Sequence, residues 1–140
     1  MKSLQINYLA VLAAAVATFI LGAVWYTVFS SQWMAFAGIT EAMAKQNDAG
    51  AMPFIVSFIT YVLAAYAMSV LFKSMGIKTL QTGVMVGALI GAFLVGGNIF
   101  TNNVYEMKSV QLSVLNAGFS SLSCAVTGAI LGAWKKYAGA

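Results

Sequence analysis

The sequence predicts an all-α integral membrane protein, a four-helix bundle, from the length of its apolar runs, the placement of its charges and its composition. Four apolar runs of about 20 residues would each span roughly 30 Å as an α-helix, the thickness of a bilayer's hydrocarbon core. The seven Lys and three acidic side chains all lie outside these runs. With 61% apolar and 7% charged residues, the composition differs from that of soluble domains. The predicted helices cover residues 8–29, 53–72, 80–100 and 112–134 of a single membrane domain, 1–140.

Lysine placement predicts that both termini are cytoplasmic and that the protein is a multi-pass component of the inner membrane. With four spans, the amino terminus, the second turn and the carboxyl terminus share one side. That side carries Lys2, Lys73, Lys78, Lys135 and Lys136, whereas the other carries Lys45 and Lys108 with Glu41, Asp48 and Glu106. Short loops that stay in the cytoplasm are enriched in Lys and Arg, which sets this orientation.

Helix one ends in an aromatic pair, Trp25 and Tyr26, and Trp33 follows in the outer loop of residues 30–52. Rings with a polar tip suit the headgroup layer, so the pattern favours interfacial anchors. Lining a site is the alternative role for these rings. The outer loop is either a connector or a lid.

A tight turn at Gly76 joins helix two to helix three, so we expect these two helices to be antiparallel neighbours. Glycine recurs at every fourth residue of helix three and again in helix four, at Gly83, Gly87, Gly91, Gly128 and Gly132. Small residues at this spacing let helix backbones approach closely in lipid. The pattern predicts tight packing through these glycines, either within the chain or between chains.

Polar residues collect at the outer end of helix three and the facing part of helix four. Asn98, Asn102 and Glu106 are four residues apart, so they share one stripe if the helix persists. The candidate cluster comprises Asn98, Thr101, Asn102, Asn103, Glu106, Asn116 and Ser120. Two interpretations stay open: these groups bond one another and hold the helices together, or they form a polar vestibule open to the outer face. Glu106 is the only carboxylate beside the cluster, with Lys108 as its possible counter-charge.

Several short strings resemble the bacterial domain-of-unknown-function family 1761. They are Asn7-Tyr8-Leu9-Ala10-Val11-Leu12, Trp25-Tyr26, Asn102-Asn103 with Glu106, Asn116-Ala117-Gly118-Phe119 and Gly128-Ala129-Ile130-Leu131. The resemblance implies a small four-span inner-membrane protein of unassigned role and supplies no substrate. The chain departs from the family after the Trp-Tyr pair, where Thr27-Val28-Phe29 replaces a proline-containing turn. Helix one is therefore expected to run straighter here.

Composition excludes several function classes. The chain has no His and no Arg, so the usual metal ligand and the usual bidentate anion clamp are missing. Its single cysteine, Cys124, lies inside helix four and is predicted to be a packing residue. No catalytic residue, cofactor or metal site is predicted. The few lysines form no basic stripe, which argues against a nucleic-acid partner.

Three functional hypotheses follow. The leading one is a non-enzymatic assembly or binding protein that packs through its glycine faces, with membrane lipids and either a second copy or another membrane protein as partners. The second is a small oligomeric channel or transporter with the outward-facing vestibule. The third is a membrane enzyme, because Asn103-Val104-Tyr105-Glu106 is similar to the Asn-x-x-Glu of four-helix glutathione-handling proteins.

Overall fold

Four long helices dominate the computed structural model, which describes residues 3–138. In chain order the elements are β1 Leu4–Gln5, α1 Tyr8–Val28, α2 Ser30–Ala37, α3 Glu41–Gln46, α4 Met52–Met75, α5 Leu80–Tyr105, α6 Val110–Ala133 and β2 Lys136–Tyr137. The helices α1, α4, α5 and α6 are each long and apolar enough to cross a membrane. The chain is therefore an all-α, multi-pass membrane protein, and the predicted fold class is confirmed.

Side-chain caps mark the start of three of the four spanning helices. Asn7 accepts a hydrogen bond from the backbone N–H of Ala10 at the start of α1 (3.2 Å), and Thr79 does the same for Thr82 in α5 (3.2 Å). At the end of α4, Gly76 adopts φ 68°, which lets the chain turn sharply. Both α4 and α5 continue past their predicted ends: α4 ends at Met75 rather than at residue 72, and α5 at Tyr105 rather than at residue 100. The predicted ends marked the end of each apolar run, whereas the helices extend into the polar sequence that follows.

The two chain ends lie together at one end of the bundle, called here the terminal end. Strand β1 pairs antiparallel with β2, with Leu4 opposite Tyr137. The Asn7 side chain donates to the carbonyl oxygen of Trp134 across 3.2 Å. The opposite end, which carries residues 29–51 and 106–109, is called the loop end. Lys2, predicted on the side of the termini, lies outside the described residues.

Helices α1 and α6 occupy the middle of the bundle, with α4 at one edge and α5 at the other. The core of α1 and α4 packs Ala10 and Ala14 against the larger Met68 and Phe72. The prediction that the second and third spanning helices pack together is wrong, because α4 and α5 make little contact. A short turn makes two helices antiparallel, but side-chain size selects their partners. The glycines of α5 fit the small residues of α6 better than the bulky face of α4.

One buried hydrogen bond joins the two middle helices. The hydroxyls of Thr18 on α1 and Thr127 on α6 lie 3.1 Å apart, and both residues are buried. In hydrocarbon each hydroxyl needs such a partner, so the pair fixes the register of α1 against α6.

Candidate functional site

The five predicted glycines line the contact between α5 and α6 within one chain: Gly83, Gly87, Gly91, Gly128 and Gly132. A Cβ added at Gly83 would lie 2.9 Å from the carbonyl carbon of Gly128, well inside van der Waals contact. At Gly87 it would meet the backbone of Cys124 at the same distance. The choice that the sequence left open is thus resolved for these glycines. They are occupied inside the chain and are not free to join two chains.

Helix α5 contains a π-helical turn at Ile90–Val95. The N–H of Gly96 bonds to the carbonyl oxygen of Gly91, five residues back rather than four. The same oxygen accepts a hydrogen bond from the hydroxyl of Ser120 on α6 (2.8 Å), and this hydroxyl also contacts the carbonyl oxygen of Ala117 (2.9 Å). A π turn inserts one extra residue into the helix. The residues of α5 that follow the turn are therefore rotated about the helix axis, and a different set of side chains faces α6.

This shift decides which asparagine faces α6. In an uninterrupted α-helix, Asn98 and Asn102 would continue the glycine face. After the π turn, Asn103 takes that place: it is only 9% exposed, and its Nδ2 donates to the hydroxyl of Ser113 across 2.9 Å. Asn98 and Asn102 instead lie on the exposed surface of α5. The structure therefore brings Asn103 to α6 and leaves the other two asparagines outside the helix contact.

The remaining residues of the predicted cluster have separate surroundings. Thr101 is exposed and donates to the carbonyl oxygen of Gly97 in its own helix (3.1 Å). Glu106 forms an exposed ion pair with Lys108, with 2.7 Å between Oε2 and Nζ. Asn116 turns towards α1 rather than α5, where its Oδ1 accepts a hydrogen bond from Tyr26 (3.0 Å). The structure does not bring these groups together with Asn98 or Asn102.

An aromatic cluster surrounds Phe119 of α6 near the loop end. Its ring centroid lies 5.2 Å from that of Tyr26, 6.3 Å from Trp25 and 6.4 Å from Tyr61 of α4. Trp25 and Tyr26 are both half-buried, so their rings pack against α6. Trp33, on α2, is half-buried as well. The contacts of Trp25 and Tyr26 fit the alternative that these rings line a site.

A groove of about 640 Å³ lies between α1, α2 and α6 at the loop end. Its walls are mostly apolar, and two side-chain amides supply polar groups. The residues that matter most here are Trp25, Phe29, Phe36 and Val114 with the amides Gln32 and Gln111. Little in the sequence indicates this groove, because its walls come from two distant parts of the chain. The one available signal was the row of aromatic residues from Trp25 to Phe36.

Trp25 stands out on the groove wall. Its indole Nε1 is buried, and within residues 3–138 it is the only buried side-chain polar atom without a hydrogen-bond partner. The indole ring lies over Gly118, so that a Cβ added to Gly118 would be 3.5 Å from it. The centroid of the indole ring is 4.8 Å from that of the Phe29 ring. Buried donors are nearly always paired in folded proteins, so this unpaired N–H is an exception, and it belongs to a residue that lines the groove.

A hydrogen bond from Ser109 holds the α2 wall of the groove against α6. The Ser109 hydroxyl donates to the carbonyl oxygen of Phe36 (2.8 Å) and accepts from the N–H of Leu112 (3.2 Å). One side chain thus caps α6 and attaches α2 to it. The segment after α1 is therefore attached to α6 at this point of the groove wall.

A second cleft of about 330 Å³ lies on the other side of α1, against α4. Tyr26, Ser57 and Tyr61 bring hydroxyl groups to it, and Phe19 and Phe54 supply apolar surface. Across the described residues, no group of three or more His, Cys, Asp or Glu side chains is placed to hold a metal ion. The groups at both cavities provide hydrogen bonds and apolar surface.

Comparison with known protein families gives a match over most of the chain. The model of a family described as protein of unknown function (DUF1761) matches residues 9–132, which confirms the resemblance seen in the sequence. No curated protein and no solved structure matches the chain. The matched region runs from the first turn of α1 to the last turn of α6, so it contains the groove and the glycine contact.

Proposed function

We propose that this chain, which belongs to the DUF1761 family, is a non-enzymatic membrane protein that binds an amphipathic, lipid-like molecule in the groove between α1, α2 and α6. The observation that carries the proposal is the groove itself. Its volume of about 640 Å³ falls within the range of small-molecule sites. It combines apolar walls with a few polar groups, which is the usual composition of a site for a small organic ligand.

The position of the polar groups defines the ligand class. Gln111 lies in the first turn of α6 at the loop end, and Gln32 lies on α2. Gly118, also on the groove wall, lies about 10 Å deeper along α6. A ligand with a polar head between the two amides and an apolar body along Val114 and Gly118 matches this gradient. Its long axis would then run parallel to the membrane normal.

Trp25 adds a specific contact to the apolar fit. A small rotation of its ring would let the unpaired indole N–H donate to an ester, carbonyl or phosphoryl oxygen of the ligand. Such a bond would remove the unfavourable free energy of a buried donor without a partner. The preferred ligand therefore carries an acceptor oxygen next to its apolar chain, as lipids do.

The glycine faces of α5 and α6 pack against each other inside the chain, so they are no longer an argument for assembly with a second protein. The polar groups required for a vestibule are divided between the exposed face of α5 and separate contacts on α6. Binding is thus the part of the leading hypothesis that the geometry favours. We place the protein in a bacterial inner membrane with cytoplasmic termini, on the strength of the lysine distribution.

Native mass spectrometry of protein released from lipid nanodiscs tests the proposal. The wild-type protein should retain a defined added mass of lipid size. Val114→Trp should lose that mass, because the larger ring fills the groove. Leu122→Trp is the matched control: both positions are exposed on α6, and Leu122 lies two turns from Val114 and about one turn beyond Gly118, which lines the groove. Retention of the mass by Val114→Trp, or no bound mass on the wild type, would contradict the proposal.

A further inference from the structure

We infer that a second copy of this chain docks on the exposed face of α5, with the Asn98 side chains of the two copies hydrogen-bonded to each other. Helix α5 is an edge helix, so only one of its sides is covered, by α6. The π turn places four neighbouring positions on the open side, called here the outward face: Leu94, Asn98, Thr101 and Asn102.

Asn98 lies deep enough to need a partner. Gly96 packs against Ala117, which puts Asn98 about 8 Å along the axis from the first residue of α6. The 24 residues of α6 span about 36 Å, and a hydrocarbon core spans about 30 Å. Centring the helix in the bilayer therefore leaves Asn98 about 5 Å inside the hydrocarbon.

The Asn98 amide has no partner of its own there. It is exposed and makes no hydrogen bond within residues 3–138, unlike Thr101, which bonds to its own helix. Its neighbour Leu94, one turn deeper, is 69% exposed, so the surroundings are apolar. Lipid chains offer neither donors nor acceptors, so an unpaired amide is unfavourable at this depth.

A second copy satisfies this amide better than another occupant of the face. An asparagine side chain is both donor and acceptor, so two of them related by a two-fold axis can satisfy each other. The outward face carries no charge that would oppose self-association. The nearest charge, Glu106, is two turns from Asn98 and already paired with Lys108. Asparagine side chains are known to hold transmembrane helices together in this way.

Dimerisation in liposomes provides the test, measured by energy transfer between donor-labelled and acceptor-labelled chains as the lipid-to-protein ratio rises. Wild-type protein should dimerise, and Asn98→Leu should weaken the dimer by about tenfold or more. Asn98→Gln keeps the amide and should keep most of the affinity. Thr60→Leu is the control, because it makes a similar polar-to-apolar change at an exposed position of α4, away from the outward face.

Two results would overturn the inference. A wild-type chain that stays monomeric at every ratio would mean that another protein or lipid covers the face. An Asn98→Leu variant that dimerises like the wild type would remove Asn98 from the interface. An unchanged unfolding transition of Asn98→Leu in micelles shows that any loss of dimer is not a loss of fold. The lipid-size mass bound in the groove reports separately on the proposed function, since the groove contains no residue of α5.

Discussion

Replacing Gly83 by alanine should force α5 away from α6 and destabilise the protein. The new Cβ would overlap the carbonyl oxygen of Gly128, and it would lie 2.9 Å from the carbonyl carbon of Gly128 and 3.2 Å from the Cα of Gly132. Ordinary van der Waals contact begins at 3.4 Å, so the two backbones must separate by at least about half an ångström. Neither neighbour is a flexible side chain, so the helices themselves must move.

The expected magnitude follows from the overpacking and from the loss of close contact. Overpacking a tight core costs about 1–3 kcal/mol, and a gap of 0.5–1 Å already forfeits about a quarter to a half of each dispersion contact. Alanine also favours helix over glycine by about 1 kcal/mol, which works in the opposite direction. Gly97→Ala isolates this gain, because a Cβ there meets nothing within 4 Å. We therefore expect Gly83→Ala to be about 1–3 kcal/mol less stable than Gly97→Ala.

The free energy of unfolding can be measured in mixed micelles as the fraction of SDS rises, with tryptophan fluorescence as the signal. The protein should be dilute enough that each micelle holds one chain, so that dimer formation does not contribute. Equal stability of Gly83→Ala and Gly97→Ala would refute the close backbone contact between α5 and α6.

Three further predictions concern hydrogen bonds that join distant parts of the chain. Thr18→Val or Thr127→Val alone should cost about 1–3 kcal/mol in unfolding free energy, and the double variant should cost less than the sum, because it leaves no buried hydroxyl unpaired. Asn7→Ala should cost about 1 kcal/mol in the same assay, since it removes both the cap of α1 and the bond to the carboxyl-terminal segment. Ser109→Ala should speed amide hydrogen exchange in residues 30–37, because it removes the bond to the Phe36 carbonyl.

Each of these has a result that would count against it. Strict additivity of the two threonine replacements would mean that their hydroxyls do not interact. An Asn7→Ala variant as stable as the wild type would remove the role of Asn7 at the terminal end. For Ser109→Ala, faster exchange confined to the first turn of α6, with α2 unchanged, would show that the side chain only caps its own helix.

The fold was predictable because it depends on the length of the apolar runs and the placement of the charges, both of which can be counted in the sequence. Run length and charge placement give four spanning helices, and an even number of spans puts both termini at one end. The spacing of Gly83, Gly87 and Gly91 predicts close backbone packing, which the structure places against α6. These features depend on the composition of whole segments, so small errors in helix ends do not affect them.

The candidate site was less predictable because it depends on single-residue register. Nothing in the string Ile90–Val95 marks a π turn, yet this turn exchanges Asn102 for Asn103 at the α6 contact. The groove depends on contacts between residues far apart in sequence, such as the Ser109 hydroxyl and the Phe36 carbonyl. Hydrophobic periodicity carries no information about contacts between residues far apart in sequence. The sequence therefore identified polar residues at the outer ends of the helices but did not predict which side chains contact one another.

Disulfide trapping between α5 and α6 tests the register shift most directly. In a Cys124→Ala background, the pair Asn103→Cys with Ser113→Cys should cross-link in membranes, since Asn103 Nδ2 and Ser113 Oγ lie 2.9 Å apart and the two side chains face each other. The pair Asn102→Cys with Ser113→Cys should not, because Asn102 lies on the exposed side of α5. Preferential cross-linking of the 102–113 pair would show an uninterrupted α-helix and contradict the shift.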